Sequence, residues 1–308
     1  MERVAALLVI LLVMSIGTEG RKIRVSNLTP RYDTTGSIID AHDGTVRWIN
    51  GEWWMHAAQY GLCHEPARYG CDQTPDHCGF TNAHNVSIWR SPDLSTGSWE
   101  FVGQAIQCAQ QPNCSTLYRP HMVYNPTTSL YVLLWNYVAP FGYAGYGVAT
   151  SASPAGPFTV RNHEMNITRL CPGPAASAPC GTAQGGAGDF DVYVDTDGTA
   201  YIIYGANYYM SIEQLTPDYV YSTGRNATIN GGQFGDTVFA EYFIEAPVLF
   251  KRGAIYYALF GSCCCFCEQG SGIMVHTAPH PLGPWTTQPG GDIACVPPTR
   301  FVHEGASF

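Results

Sequence analysis

Short runs of alternating apolar and polar residues recur along the chain, and turn-forming residues separate them. The run TVRWINGEWWMHAAQYG is typical of a strand, an Asn50-Gly51 turn and a second strand. Three later segments repeat this hairpin: MVYNPTTSLYVLLWNY, FDVYVDTDGTAYIIYG with an Asp197-Gly198 turn, and PVLFKRGAIYYALFGS. No stretch has sustained helical periodicity, so the pattern predicts an all-β protein.

A second element follows three of these hairpins. It is a short strand, a cluster of small polar residues and an aromatic-bearing exit, as in VSIWRSPDLSTGSWEFV, GVATSASPAGPFTV and GIMVHTAPHPLGPWTT. A Gly-Pro-aromatic-Thr ending occurs twice, at residues 156–159 and 283–286. After the third hairpin the equivalent, near MSIEQLTPD, is weaker. Hairpin and exit together make a repeating unit of about four strands.

Such a unit cannot bury both of its faces alone, and radial stacking of four-stranded sheets gives a β-propeller. A β-sandwich is the structural alternative, but it does not explain the recurring cycle. We expect five blades, whose first strands begin near Asp43, Arg119, Asp189, Glu245 and His303. The sequence reaches Phe308 within the first strand of the fifth blade, so that blade is expected to be incomplete.

The first twenty residues have the features of a secretory signal peptide. Arg3 precedes an apolar run, Val4 to Ile16, which is short for a membrane span, and small residues follow it. We therefore expect a secreted protein with no membrane attachment after cleavage. The predicted organisation is a signal peptide at 1–20, a lead-in at 21–36 and one propeller domain at 37–308.

Export would make the twelve cysteines disulfide formers. Local pairs are expected at Cys108–Cys114 and Cys171–Cys180. The SCCCFCEQG run favours stapling of loops over a soft-metal cluster, with connectivity left open. Five sequons are typical of a glycosylated secreted protein: Asn27, Asn85, Asn113, Asn166 and Asn226.

Composition narrows the class of ligand. Charged residues are only 13% of the chain and the net charge is -9, which argues against a nucleic-acid partner. Hydrophobic residues at 45% provide a sizeable core and exclude disorder. A neutral, hydroxyl-rich ligand is the better match, and a monomer is expected.

Three predicted blade starts carry a carboxylate: Asp43 in AHDG, Asp189 in GDFDV and Glu245 in FIEAPVLF. First strands line the propeller axis, so these acids should converge and perturb one another's pKa values. Inverting glycoside hydrolysis needs such a division into acid and base, about 6.5–9.5 Å apart. The alternative at Asp43 is an ordinary turn residue or cap, and Asp189 would share a strand face with Asp191, two residues later. A glutamate in the apolar run at Glu245 would be costly without a function. Three further acids are expected to be turn or calcium-like surface residues: Asp191, Asp195 and Asp197.

These segments resemble glycoside hydrolase family 43, five-bladed β-propellers that hydrolyse arabinans, xylans and galactans. The resemblance rests on AHDGTVRWINGEWW, GDFDVYVDTDGTAYIIYG and IEAPVLFKRGAIYYALFGS, with the exits GPFTV and GPWTT, and covers about 240 residues. It implies that Asp43 is the general base, Asp189 the residue that orients the acid and tunes its pKa, and Glu245 the general acid. Asp40 is a rival for the base.

The resemblance also has departures. Gly44 and Phe190 stand where the family usually has proline after the acid. LYRPHMVYNP is similar to a Glu-Arg-Pro segment of the galactan-acting subgroup, but Tyr118 replaces the glutamate. The family often has a central cation near a fifth-blade histidine, which makes His303 the candidate metal ligand. We expect no cofactor in the chemistry and leave a structural calcium ion open.

Aromatic rings can stack on the apolar face of a sugar. Arg119, Trp135, Tyr137 and Phe141 are the predicted substrate-binding residues, with WNYVAPFGYAGYG as a cleft loop. The sequence therefore predicts a secreted inverting glycosidase that acts on a polysaccharide or glycan. A carbohydrate-binding propeller without catalysis, a protein-interaction propeller and a retaining fructan-type enzyme remain as rivals.

Overall fold

The computed structural model describes residues 30–61, 83–112, 114, 116–138, 144–168, 188–206, 209–230, 245–261 and 273–288. Within these ranges the chain forms four sheets, each of four antiparallel strands in sequence order. Blade one contains β1 (His42–Ile49), β2 (Glu52–Ala58), β3 (Val86–Ser91) and β4 (Glu100–Ile106). Blade two contains β5 (Thr116–Asn125), β6 (Leu130–Val138), β7 (Ala144–Ser151) and β8 (Thr159–Asn162). Blade three contains β9 (Phe190–Val194), β10 (Ala200–Ala206), β11 (Tyr209–Leu215) and β12 (Ser222–Asn230). Blade four contains β13 (Glu245–Arg252), β14 (Ile255–Gly261), β15 (Met274–Ala278) and β16 (Thr286–Thr287).

The blades are arranged as a β-propeller. The first strands of consecutive blades are neighbours, since β5 contacts β1 and β9, and β9 contacts β13. This confirms the predicted all-β propeller. Of the five predicted blades, four lie in the described part of the chain. The fifth, which was expected to begin at His303, falls outside it.

Apolar clusters between neighbouring blades hold the propeller together. One cluster joins blades one and two around Ile88, Leu117 and Leu133. A second joins blades two and three through Val148 and Ile202, and a third joins blades three and four. At each of these three junctions neighbouring blades bury apolar faces against one another, which is how units that cannot fold alone become stable together.

The turns follow the sequence closely. Asn50 and Gly51 both have positive φ, 51° and 88°, as a two-residue hairpin of the primed type requires. The two Gly-Pro-aromatic exits are also alike, because Gly156 and Gly283 have φ of 81° and 87°. The equivalence of these repeats is therefore confirmed.

A disulfide joins Cys108 to Cys114 next to a short 3-10 turn at Cys108–Gln110, as predicted. The expected Cys171–Cys180 pair and the SCCCFCEQG run lie outside the described residues. Among the described residues, no helix is long and apolar enough to cross a membrane.

Candidate active site

Three of the four first strands begin with the same distortion. The pairing register shifts between His42 and Thr45 in β1, between Tyr118 and His121 in β5, and between Glu245 and Val248 in β13. One residue in each bulge adopts a left-handed conformation, with φ between 48° and 52°: Asp43, Arg119 and Ala246. Such backbone is costly for residues other than glycine and is concentrated at functional sites.

The bulges correct the predicted equivalence of the acids. Asp43 and Arg119 occupy matching positions, and Ala246 is their counterpart in β13. Glu245 therefore lies one residue earlier, at the start of β13, where its backbone pairs with Gly261. The side chain of Glu245 lies outside the described residues.

Asp189 links three blades. Its Oδ1 lies 2.7 Å from Arg119 Nη2 of blade two, and its Oδ2 accepts a 2.9 Å hydrogen bond from the Ala246 amide of blade four. Burial raises the pKa of Asp189, and the nearby charge of Asp43 raises it further. Arg119 and the Ala246 amide oppose this rise only in part. Asp189 is thus a desolvated carboxyl that is hydrogen-bonded to the backbone amide of the residue after Glu245.

Asp43 lies at the mouth of the site and has an unforeseen partner. The Tyr60 hydroxyl donates a hydrogen bond to Asp43 Oδ2, and the Tyr60 ring stacks on His42 at 4.7 Å. Burial and then the Asp43 charge raise the pKa of Tyr60 well above its usual value. Tyr60 therefore remains a hydrogen-bond donor, and it holds the Asp43 carboxylate in one orientation.

Asp40, the alternative to Asp43 as the base, holds the segment around Tyr60 in place. Both of its carboxylate oxygens lie 3.2 Å from the Gly61 amide, and His42 Nε2 lies 3.4 Å from Oδ1. Asp40 therefore anchors the segment that carries Tyr60, while Asp43 is the acid whose charge reaches Asp189.

An aromatic cluster flanks Asp43, and we define it as Tyr60, His84 and Tyr118. Tyr60 contacts His84 at 4.9 Å and Tyr118 at 5.7 Å between ring centroids. The Arg119 guanidinium lies 5.6 Å from the centre of the Tyr118 ring. Tyr60, Tyr118 and Arg119 are partly exposed and form a wall beside the carboxylates that suits the apolar face and the hydroxyls of a sugar, whereas His84 is buried and supports the two rings.

Two predicted substrate-binding residues have a different role. Trp135 and Tyr137 in β6 are only 0% and 3% exposed and pack in the cluster between blades one and two. The expectation that they stack on a sugar is wrong, because neither ring has a free face. Arg119 remains at the mouth, whereas Phe141 and His303 lie outside the described residues.

Asp191 is not the surface acid that the sequence suggested. It is 8% exposed and accepts hydrogen bonds from the Leu249 amide and its neighbour Val192. His121 Nδ1 lies 3.2 Å from Asp191 Oδ1. Asp195, by contrast, is a turn residue, as expected, and pairs with Lys251 at 3.2 Å.

No group of three metal-ligating side chains is arranged to hold a cation in the described ranges.

Comparisons with known proteins bear on this site. The model of a family described as glycosyl hydrolases family 43 matches residues 77–295. A β-1,3-galactosidase of that family, solved with galactodeoxynojirimycin, superimposes with a TM-score of 0.64 at 23% identity, over 85% of this chain and 79% of the other.

Two exo-β-1,3-galactanases are also similar. The enzyme from Clostridium thermocellum has a TM-score of 0.62 and 24% identity, over 85% of this chain and 50% of its own. The Phanerochaete chrysosporium enzyme, solved with galactose, has a TM-score of 0.60 and 19% identity, over 84% and 52%. This chain thus spans about half the length of both galactanases. At these identities the structures show the fold alone. No curated protein sequence matches the chain significantly.

Proposed function

The chain belongs to glycosyl hydrolases family 43 and is thereby an O-glycosyl hydrolase, and we propose that it is a secreted enzyme that cleaves a galactan-type polysaccharide or glycan with inversion at the anomeric carbon. The observation that carries this proposal is the bridge of Arg119, Asp189 and the Ala246 amide, which ties a desolvated carboxyl to the backbone of Glu245.

Glu245 is the proposed general acid, and it protonates the leaving oxygen. A negative charge at Asp189 disfavours ionisation of a neighbouring carboxyl, so Glu245 keeps its proton near neutral pH. Asp189 is a positioning residue, because it acts on Glu245 and not on the sugar.

Asp43 is the proposed general base, and it activates the water that attacks the opposite face of the sugar. Its exposure at the mouth suits contact with water, and the hydrogen bond from Tyr60 to Oδ2 fixes the direction of Oδ1. No cofactor takes part in this chemistry, and a structural cation near His303 remains a proposal.

Galactan is the first substrate to test, because three similar structures are named as β-1,3-galactosidase or exo-β-1,3-galactanases. Tyr60, Tyr118 and Arg119 form the proposed sugar-binding wall. We further propose cleavage of the signal peptide, N-glycosylation, a monomeric state and a fifth blade that begins at His303.

The test is hydrolysis of β-1,3-galactan, arabinan and xylan by the full-length protein. We expect release of sugar from galactan and a loss of about 10²- to 10⁴-fold in kcat for Glu245→Gln, the usual contribution of a general acid. Glu100→Gln is the control, since Glu100 is half exposed and pairs with Arg90 far from the axis. A folded protein that binds galactan and hydrolyses none of the three would instead be a carbohydrate-binding propeller.

A further inference from the structure

Two contacts, an upper and a lower one, connect the first strands of blades two, three and four. The upper one runs from Arg119 on β5 through Asp189 to the Ala246 amide on β13. The lower one runs from His121 on β5 through Asp191 to the Leu249 amide on β13, with distances of 3.2 and 3.1 Å. Arg119 and His121 are two residues apart on β5, and Asp189, which lies just before β9, is two residues from Asp191.

The lower contact clamps the bulge that carries Glu245. The bulge extends from Glu245 to Val248. Asp189 holds it at Ala246, and Asp191 holds the strand at Leu249, just beyond the bulge. With both ends fixed, the backbone at Glu245 has little freedom to move along the axis.

The lower contact also continues into blade one. Thr45 stands in β1 where His121 stands in β5, immediately after the bulge. Thr45 Oγ1 accepts a 3.1 Å hydrogen bond from the Met122 amide. This layer therefore connects the first strands of all four described blades.

Holding two strands together with a buried charge costs free energy. Burial raises the pKa of Asp191, but His121 and the Leu249 and Val192 amides bring it below the usual value, so the group is a carboxylate. Removing such a charge from water costs several kcal/mol, and a well-packed apolar residue is often as stable. Stability alone does not explain a carboxylate at this position, whereas a directional contact to one amide does.

We propose that His121 and Asp191 are a positioning pair, which fixes the Glu245 bulge relative to Asp43 and Asp189. This inference rests on the proposed function. Neither residue touches the sugar, so disrupting the pair should reduce kcat and leave substrate binding intact.

The chain offers a matched control on the same two strands. At the far end of β9 and β13, Lys251 Nζ lies 3.2 Å from Asp195 Oδ1, which is also largely buried. Asp195→Asn thus removes a comparable contact between blades three and four without touching the bulge.

The experiment compares Asp191→Asn, His121→Gln and Asp195→Asn in the full-length protein. We expect Asp191→Asn and His121→Gln to lower kcat about 10- to 100-fold with KM within about twofold, as small displacements of reacting groups do. The double variant should be no worse than the poorer single variant, because both remove one contact. Asp195→Asn should lower thermal stability and leave kcat within about twofold.

Equal loss of kcat in Asp191→Asn and Asp195→Asn, or no loss in His121→Gln, would overturn the inference. A second readout does not depend on hydrolysis: NMR amide exchange at Ala246 and Leu249 should accelerate about tenfold in Asp191→Asn and stay unchanged in Asp195→Asn. An inactive wild type would refute the proposed function, and amide exchange would still decide whether the pair positions the bulge.

Discussion

Removing the Arg119 guanidinium should make the Asp189 carboxylate far more difficult to ionise. Asp189 is 12% exposed at its side chain, and Arg119 is its only cationic contact among the described residues, at 2.7 Å. In Arg119→Met, burial and the Asp43 charge would be opposed by the Ala246 amide alone. A hydrogen bond to a charged group contributes about 1.5–3 kcal/mol, so its loss raises the pKa of Asp189 further.

The sign of the effect on stability follows from linkage. A carboxyl whose pKa is raised on folding binds its proton more tightly in the folded state, so stability falls as pH rises from its unfolded pKa through its folded pKa. Arg119→Met should therefore lower the free energy of unfolding by about 1.5–3 kcal/mol more at pH 7 than at pH 4. Urea unfolding at the two pH values measures this directly. Arg119→Lys, which keeps the charge, should show a smaller difference.

The pH profile of hydrolysis gives a second measure. Because Asp189 must be ionised to keep Glu245 protonated, the acid limb of kcat/KM should move to higher pH in Arg119→Met. Arg90→Met is the control, since Arg90 and Glu100 form an exposed pair whose loss should cost less than about 1 kcal/mol. The same loss of stability at both pH values, together with an unmoved acid limb, would refute the proposed coupling of Arg119 to Asp189.

Three other changes test separate parts of the structure. Burial raises the pKa of Asp195, but hydrogen bonds from its neighbours bring it to about 2, so its contribution to stability is present above about pH 4 and lost toward pH 2. In Asp195→Asn the free energy of unfolding should therefore fall less steeply between pH 4 and pH 2, and a wild-type slope would contradict this. Gly147→Ala should lower stability by about 1–3 kcal/mol in thermal unfolding, because a Cβ at Gly147 would lie 2.2 Å from Cζ2 of Trp135. Tyr60→Phe removes the donor to Asp43 and should reduce kcat about tenfold with little change in melting temperature; wild-type kcat would show that the hydrogen bond has no part in catalysis.

The propeller was predictable because its signals are local. Alternating residues identify the strands, and Asn50-Gly51 and the Gly-Pro exits identify the turns. The repeat then predicted that acids at the blade starts meet at the axis, and Asp43 and Asp189 are indeed close enough for their charges to interact.

Two errors have one physical cause, which is burial on both faces of a strand. Alternation of apolar and polar residues distinguishes buried from exposed positions only when one face of the strand is solvated. β6 is buried along nearly its whole length by the neighbouring strands and blades, so Trp135 and Tyr137 are core residues even though they precede a Gly- and Pro-rich loop. Asp191 is buried in the same way, and the partners on β5 and β13 that hold it there are distant in sequence.

Tyr60 was missed because its role depends on the path of the chain after β2. No pattern in the sequence indicates that this segment turns back onto Asp43. Asp40, two residues before His42, anchors this segment by accepting a hydrogen bond from the Gly61 amide. The sequence identified Asp40 as a candidate acid but gave no sign of this partner.

The configuration of the first product tests the central claim most directly. Proton NMR should follow hydrolysis of a β-1,3-linked galactan oligosaccharide by the full-length protein, beside Glu245→Gln. We predict that the α anomer appears first and that Glu245→Gln produces almost none, as an acid at Glu245 and a base at Asp43 on opposite faces require. First appearance of the β anomer, or undiminished turnover by Glu245→Gln, would contradict the assignment of these carboxylates.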